Sequence, residues 1–179
     1  TSLVNNLIDL SKLESLYYKL NKLEVNLSEL VLKRLEICQK LYVDEKNRDN
    51  LNFDLEIEEK LSVVCDENYI ARTIDNIIIN AIQYCPSGQI TIKLYKNQGE
   101  EVEFSVKDEG IGIPKEELSD VFGAFVVSSK TKTPAGGRGI GLALCKKVIK
   151  AHNGQIWAKQ NPDKGTTFAF TLPLNNKNS

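Results

Sequence analysis

Two glycine clusters in the C-terminal half of this sequence restrict its fold. The first, residues 108–114 (DEGIGIP), follows an alternating polar and apolar segment that predicts a strand, and the second, residues 136–142 (GGRGIGL), precedes an apolar helical pattern. Glycine lets backbone approach a ligand closely, and a glycine-rich loop that opens a helix offers N–H groups and a positive dipole end to phosphate. Glycine turns are common, so the second cluster alone is weak evidence for a ligand.

The second cluster does not match two well-known phosphate-binding motifs. A P-loop requires Gly-Lys-Ser/Thr, whereas Gly141 is followed here by Leu142 and Ala143. A dinucleotide fingerprint requires a preceding strand and an acidic residue about 20 positions further on, and neither context is present. A different kind of site is therefore expected.

The periodicity of apolar residues predicts the order α-α-β-β-α-β-β-loop-α-β-β. The predicted helices cover residues 1–19, 29–46 with Ser28 as the N-cap, 67–84 and 141–152, and the predicted strands cover residues 52–57, 61–65, 89–95, 101–107, 155–159 and 166–172. Because helices and strands do not alternate strictly, a doubly wound parallel sheet is disfavoured. We expect an α+β fold, a two-layer α/β sandwich whose mixed sheet is covered by helices on one face.

Length and composition indicate a globular protein. The 179 residues fit one domain with a short appendage, and 41% apolar with 26% charged residues is ordinary for a chain with a real core. The net charge of -1 gives no support for general binding to nucleic acid or to a membrane surface. No apolar run approaches the roughly 20 residues that span a bilayer, so we expect no membrane contact by this chain.

The cysteines and the first residue suggest where the chain comes from. Cys38, Cys65, Cys85 and Cys145 lie in apolar stretches without a CxxC pair, which predicts buried thiols in a reducing compartment rather than a zinc site or disulfides. The chain begins at Thr1 without Met and without a signal-peptide pattern, so we expect a piece of a longer protein.

The helix predicted at residues 67–84 carries polar residues on one face. Asn76, Asn80 and Tyr84 are spaced four apart, and the two asparagines interrupt an otherwise apolar helix where unpaired amides would be costly if buried. One interpretation is that they satisfy nearby backbone groups. The other is that an amide oxygen binds Mg²⁺, for which it is a good hard ligand. Facing two glycine loops, such amides would form a nucleotide–magnesium pocket.

These motifs together resemble those of sensor histidine kinases. Asn80 and its flanks resemble the N box, residues 108–114 the G1 box, residues 122–125 (FGAF) the F box and residues 136–142 the G2 box. Residues 165–168 (GTTF), followed by Leu172 and Pro173, are similar to the closing strand of the same domain. The resemblance covers roughly residues 1 to 174 and extends to the superfamily shared with DNA gyrase, heat-shock chaperones and mismatch-repair ATPases, and it implies their Bergerat-type ATP-binding fold.

The resemblance implies an adenine pocket around Asp108. Asp108 would accept a hydrogen bond from the adenine amino group, with Thr166 near both. Gly110 and Gly112 would let the backbone pass close to the base, and Ile113 would contact it together with Ile77.

The resemblance also implies a phosphate and metal site. Asn80 would coordinate Mg²⁺ that bridges the ATP phosphates, and Asn76 would line the same site. A lid of about residues 116–138 would close over the triphosphate. The remaining nucleotide-binding residues implied by the resemblance are Tyr84, Gly137, Gly139, Ile140, Gly141 and Leu142.

The sequence departs from the family pattern at phosphate-contacting positions. Gln83 occupies a position where Lys is common, and Val126 and Val127 follow the F box where Arg is frequent. Lys130 and Lys132 in the lid are the candidates to supply positive charge instead, and the sequence does not decide whether either of them does so. Arg138 also replaces a residue that is commonly small.

The single histidine does not fit the pattern of a phospho-acceptor. His152 ends the G2 helix, where a cation would favour the helix dipole. Residues 1–20 resemble the second helix of the histidine-bearing dimerisation hairpin, and residues 21–179 resemble the catalytic domain. We therefore expect the acceptor histidine to lie before Thr1.

The resemblance implies an ATP-dependent protein-histidine kinase domain. Its γ-phosphoryl acceptor would be a histidine on the hairpin, and the phosphate would then pass to an aspartate of a response regulator. The parent would be a homodimer, with this domain in the cytoplasm and an anchor in the bacterial inner membrane. Two alternatives are an ATP-driven conformational switch, whose relatives place a Glu where this chain has Asn76, and a regulatory nucleotide-binding module.

Overall fold

The computed structural model describes residues 4–5, 8, 11–12, 19–43, 50–126, 128–129 and 139–174. Within these residues the helices are α1 (Leu27–Tyr42), α2 (Glu67–Tyr84) and α3 (Gly141–Ala151), with a 3-10 turn at Lys115–Glu117. The strands are β1 (Leu23–Asn26), β2 (Leu51–Ile57), β3 (Ser62–Cys65), β4 (Gly88–Lys96), β5 (Glu101–Asp108), β6 (Ile156–Gln160) and β7 (Thr166–Pro173).

Five of these strands form one mixed sheet in the order β2-β4-β5-β7-β6. β2 and β4 are parallel, and the other three pairs are antiparallel. β1 and β3 form a separate antiparallel pair. The predicted α+β fold with a mixed sheet is confirmed.

The core lies between the helices and one face of this sheet. Alternate residues of β4, β5 and β7 point to the helices, so that Ile92, Phe104 and Phe170 are completely buried, and the rings of Phe104 and Phe170 are 5.1 Å apart. The opposite face is polar and carries an exposed ion pair between Lys93 and Glu56. α2 packs against both α1 and α3, which makes it the central helix of the layer.

The start of α1 differs from the prediction. Asn26, not Ser28, caps the helix, because the Asn26 side chain accepts a hydrogen bond from the Glu29 N–H. The Ser28 side chain is buried, where it donates to the Glu58 carbonyl at 2.7 Å and accepts from the Leu61 N–H at 3.0 Å. The helix therefore begins earlier than predicted, and it ends at Tyr42 rather than near residue 46.

Two further features concern the N-terminal residues. The strand β1 was not predicted, since it is four residues long and forms only by pairing with β3. Of residues 1–20, the structure describes Val4, Asn5, Ile8, Ser11 and Lys12, all helical, together with residues 19 and 20, so the predicted N-terminal helix lies largely outside the described residues. Across the described part of the chain, no helix combines the length and apolar character of a membrane span.

The predicted position of His152 at the end of the last helix is confirmed, but the prediction that it is a cation there is wrong. His152 follows the last turn of α3 and is completely buried. Its Nε2 accepts a hydrogen bond from the Asp66 backbone N–H at 3.0 Å, so the proton is on Nδ1, which lies 2.7 Å from the Val148 carbonyl. Burial lowers the pKa of His152, so the ring is neutral and links the end of α3 to the start of α2.

The predicted burial of the four cysteines is confirmed. Burial raises the pKa of the Cys38 and Cys65 thiols to about 12, and it also raises the pKa of Cys85 and Cys145. These side chains are protonated and act as small apolar core residues.

Candidate functional site

Three segments that are distant in sequence meet beside the C-terminal half of α2. The Ile111 N–H, in the first glycine cluster, donates to the Tyr84 carbonyl at the end of α2 at 3.1 Å. At the start of α3, a Cβ added to Gly141 would lie only 2.8 Å from Asn76 Oδ1. The asparagine-bearing helix, the first glycine cluster and the described part of the second, residues 139–142, are thus brought together as predicted.

Asp108 ends β5 at the floor of this site. It is 4% exposed, and its Oδ1 accepts hydrogen bonds from the Gly110 N–H at 2.8 Å and the Thr166 N–H at 3.3 Å. Burial raises the pKa of Asp108, and the two N–H donors oppose that rise. Its Oδ2 accepts no hydrogen bond from the described residues, so it is available to a ligand.

The first glycine cluster passes very close to α2. A Cβ at Gly110 would lie 2.1 Å from the Tyr84 carbonyl oxygen and 2.9 Å from Asp108 Oδ1, so no other residue fits there without moving the backbone. Gly112 is buried and Ile113 is half-buried against the core. This close approach packs the backbone of the first glycine cluster between the end of α2 and Asp108.

The polar residues of α2 are partly accessible. Asn76 and Asn80 are half-buried, as is Tyr84, whereas Gln83 is exposed. Asn80 makes no hydrogen bond with any residue that the structure describes, so its amide can serve a ligand. An amide oxygen of this kind fits Mg²⁺, which prefers oxygen ligands and retains several waters.

The second glycine cluster is described from Gly139 onward. Gly139 accepts a hydrogen bond from the Phe125 N–H at 2.9 Å, and α3 begins at Gly141 without a side-chain cap. Its first N–H groups therefore lack a capping side chain, and Gly141 itself lies against the Asn76 side chain. Ile140 is buried and Leu142 packs on the core.

The predicted lid, residues 116–138, lies partly outside the described residues, which include neither residue 127 nor residues 130–138. Lys130, Lys132 and Gly137 belong to that part of the sequence. On its N-terminal side, Glu117 accepts hydrogen bonds from the Ser128 hydroxyl at 2.5 Å and the Ser129 N–H at 2.9 Å.

Sequence reasoning missed Asn161, which follows β6. Asn161 is 6% exposed, and its amide donates to the Asp108 backbone carbonyl at 2.7 Å. The only local signal is a turn-like Asn-Pro-Asp sequence, which does not indicate a contact with a residue 53 positions earlier.

Comparisons with known proteins show which family the chain resembles. Residues 65–176 match the family described as histidine kinase-, DNA gyrase B- and HSP90-like ATPases. The sensor histidine kinase WalK of Bacillus subtilis (strain 168) is 40% identical over 177 residues, covering 96% of this chain and 28% of WalK. The adaptive-response sensory kinase SasA of Synechocystis sp. is 37% identical over 145 residues, covering 78% of this chain and 37% of SasA.

Solved structures show the same relationship. The catalytic domain of histidine kinase ThkA matches with a TM-score of 0.71 at 29% identity, covering 86% of this chain and 96% of that one. The mycobacterial sensor histidine kinase MprB matches with a TM-score of 0.75 at 26% identity, covering 84% of this chain and 97% of that one.

The chain belongs to the family of histidine kinase-, DNA gyrase B- and HSP90-like ATPases. Its relatives are sensor histidine kinases, and it corresponds to their ATP-binding catalytic domain. The chain spans only 28% of the length of WalK and 37% of that of SasA.

Proposed function

We propose that this domain binds ATP with Mg²⁺ and transfers the γ-phosphoryl group to a histidine outside this chain. The observation that carries the proposal is the convergence of Asp108, Asn80 and the start of α3 at one site. Asp108 and Asn80 there retain polar atoms that make no hydrogen bond with the described residues. Membership of the family is the reason to expect ATP as the ligand, and these polar atoms are the groups that would bind it.

Adenine is recognised at Asp108. Because Gly110 and Thr166 occupy only Oδ1, Oδ2 accepts a hydrogen bond from the exocyclic amino group of the base. A carboxylate that accepts such a bond favours adenine over purines that lack an amino group at this position. Ile113 and the backbone beside Gly110 and Gly112 provide the apolar slot around the base.

The triphosphate lies between α2 and the start of α3. The N–H groups at Gly139, Gly141 and Leu142 bind phosphate oxygens, aided by the positive end of the α3 dipole. Asn80 is the Mg²⁺ ligand and Asn76 lines the same site. Mg²⁺ held there would supply the charge stabilisation that phosphoryl transfer requires, in addition to the positioning of the reacting groups.

The acceptor histidine is not His152. His152 is the only histidine of the chain, it is completely buried, and both ring nitrogens make hydrogen bonds. A phosphoryl group on Nε2 would break the bond to the start of α2, and one on Nδ1 would break the bond to the Val148 carbonyl within α3. The acceptor therefore belongs to the dimerisation hairpin of the longer protein, of which residues 1–20 form part of the second helix, while residues 21–179 form the catalytic domain. A response regulator is the next partner in the relay.

A hydrolytic switch is the second candidate. Those relatives use a Glu to activate water at the position of Asn76. An amide cannot take up a proton in this way, so this site favours transfer over hydrolysis.

Phosphoryl transfer in trans tests the proposal. The purified chain is mixed with the isolated hairpin of its parent and Mg-ATP labelled at the γ-phosphate. We expect acid-labile, base-stable label on the hairpin, which disappears when the hairpin histidine is replaced or when the chain carries Asn80→Ala. Label that is released only as inorganic phosphate would instead support the hydrolytic switch, and ATP binding without either product would support the regulatory module.

A further inference from the structure

The side chain of Asn161 connects three backbone or side-chain groups around Asp108. Its Nδ2 donates to the Asp108 carbonyl at 2.7 Å and to the Lys164 carbonyl at 3.1 Å. Its Oδ1 accepts from the Thr167 hydroxyl at 2.6 Å. Asn161 is thus a buried amide whose two ends both make hydrogen bonds, and one of them goes to the backbone of the proposed adenine-binding residue.

The orientation of this amide is determined by its partners. Two carbonyl oxygens face Nδ2, and carbonyls can only accept hydrogen bonds. Turning the amide over would place Oδ1 against both carbonyls, which have no hydrogen to donate to it. The Thr167 hydroxyl, which donates to Oδ1, therefore keeps Nδ2 directed at Asp108.

Asp108 needs such support because of its position at the end of β5. The pairing of β5 with β7 ends at Lys107 and Thr167, so Asp108 has no partner across from it on β7. Asn161 bonds the Asp108 carbonyl on this unpaired side, while the Thr166 N–H bonds its carboxylate. The backbone and the side chain of Asp108 are thereby held from the same loop.

The loop itself is tightly fitted to Asp108. A Cβ at Gly165 would lie 2.0 Å from the Asp108 carbonyl oxygen, and the Asn161 N–H donates to the Gly165 carbonyl at 3.1 Å. Asn161 thus closes the turn between β6 and β7 and attaches it to Asp108. This attachment holds the backbone of Asp108, from which its carboxylate extends.

We propose that Asn161 is a positioning residue that sets the preference of the site for purines with an exocyclic amino group, by fixing the orientation of Asp108. The inference rests on the proposed role of Asp108 in binding adenine. It adds a specificity-determining residue in the turn between β6 and β7, far in sequence from the four motifs.

The test compares two nucleotides that differ only in the amino group. Dissociation constants for ATP and for purine riboside triphosphate are measured by calorimetry with Mg²⁺ in the wild-type chain, Asn161→Ala, Thr167→Val and the control Thr171→Val. Thr171 is also a buried β7 threonine with hydrogen bonds, but it contacts Glu101 and Gln155 rather than the Asp108 loop. Thermal unfolding of each variant is recorded without nucleotide.

We expect the wild type and Thr171→Val to prefer ATP by about tenfold or more, the value of one charge-assisted hydrogen bond. In Asn161→Ala the preference should fall to about threefold or less, because Asp108 is no longer held in the accepting orientation. Thr167→Val should reduce the preference as well, and it answers the question if Asn161→Ala does not fold. If Asn161 had a purely structural role, its replacement would lower the stability of the chain or weaken the binding of both nucleotides equally. The ratio of the two dissociation constants would then be unchanged.

The outcomes separate the two proposals. A wild-type chain that binds both nucleotides equally contradicts the role of Asp108 and, with it, the inference on Asn161. A wild-type preference that survives in folded Asn161→Ala, or in Thr167→Val if Asn161→Ala does not fold, overturns the inference on Asn161 alone. Loss of the preference in Thr171→Val also overturns it, since any buried hydrogen bond of this sheet would then have the same effect.

Discussion

Replacing Gly141 with alanine should separate folding from nucleotide binding. The added Cβ would lie 2.8 Å from Asn76 Oδ1, well short of the 3.4 Å at which ordinary contact begins. The neighbour is the end of a side chain and not backbone, so the Asn76 amide can rotate away, giving up its hydrogen bond with the Cys145 thiol. It then leaves the position in which it faces the start of α3.

The two consequences have different magnitudes. Alanine is the better helix former by about 1 kcal/mol in a helix interior and by less at the first position, so we expect the free energy of unfolding to change by less than about 1 kcal/mol. A misplaced site group is costly, since shifts near 1 Å can reduce function by about 100-fold. Because one amide is displaced, we expect Mg-ATP affinity to fall about tenfold, or 1.4 kcal/mol.

Urea unfolding and calorimetric titration with Mg-ATP measure the two quantities in the same preparation. Gly99→Ala is the matched control, because Gly99 lies in the exposed turn between β4 and β5 and its added Cβ would meet nothing closer than 3.4 Å. The control should alter neither quantity by more than a small amount. Unchanged Mg-ATP affinity in a folded Gly141→Ala chain would refute the reasoning and indicate that Asn76 only satisfies nearby groups.

Three further predictions concern charge. Gln83→Lys should tighten ATP binding by up to about fivefold, an effect that diminishes with added salt because the side chain is exposed, and calorimetry at two salt concentrations measures it. Burial lowers the pKa of His152, so on acidification the unfolded chain takes up a proton on this histidine before the folded chain does. The free energy of unfolding should therefore fall as the pH drops below about 6.5. Urea titrations at several pH values should show that the free energy of unfolding depends less on pH in His152→Gln than in the wild type. Arg34→Met should cost about 1–2 kcal/mol in urea unfolding, since it leaves the half-buried Asp75 without the bidentate partner that joins α1 to α2, and no loss would contradict this account.

Local patterns predicted most of the secondary structure. The helix at residues 67–84 has the bounds that its apolar periodicity predicts, and α3 begins at Gly141 as expected. In both cases the apolar repeat extends over the whole helix and a turn sequence ends it. The functional motifs were equally local, and the structure brings them together.

Errors arose where distant residues decide the outcome. Ser28 is a good N-cap residue, but Glu58 and Leu61 provide its hydrogen bonds, so Asn26 caps the helix instead. His152 is neutral because its Nε2 faces the N–H of Asp66, which is 86 positions away in sequence. No periodicity or composition reports such contacts.

The same limit explains what was missed at the site. Asp108 was predicted from its motif, whereas Asn161 supports it through tertiary contacts alone. The strand β1 is similar, because its four residues gain their conformation only by pairing with β3. Sequence motifs thus identified the groups proposed to touch the ligand and not those that hold them in place.

The central claim is that Asn80, on α2, is the Mg²⁺ ligand of a single ATP site. Titrating ATP into the wild type and into Asn80→Ala, each with Mg²⁺ and with excess chelator, tests it most directly. We expect Mg²⁺ to tighten wild-type binding by at least about tenfold and to add little in Asn80→Ala, with equal affinities in chelator. A wild-type chain that binds no ATP, or a Mg²⁺ effect that persists undiminished in Asn80→Ala, would contradict the account.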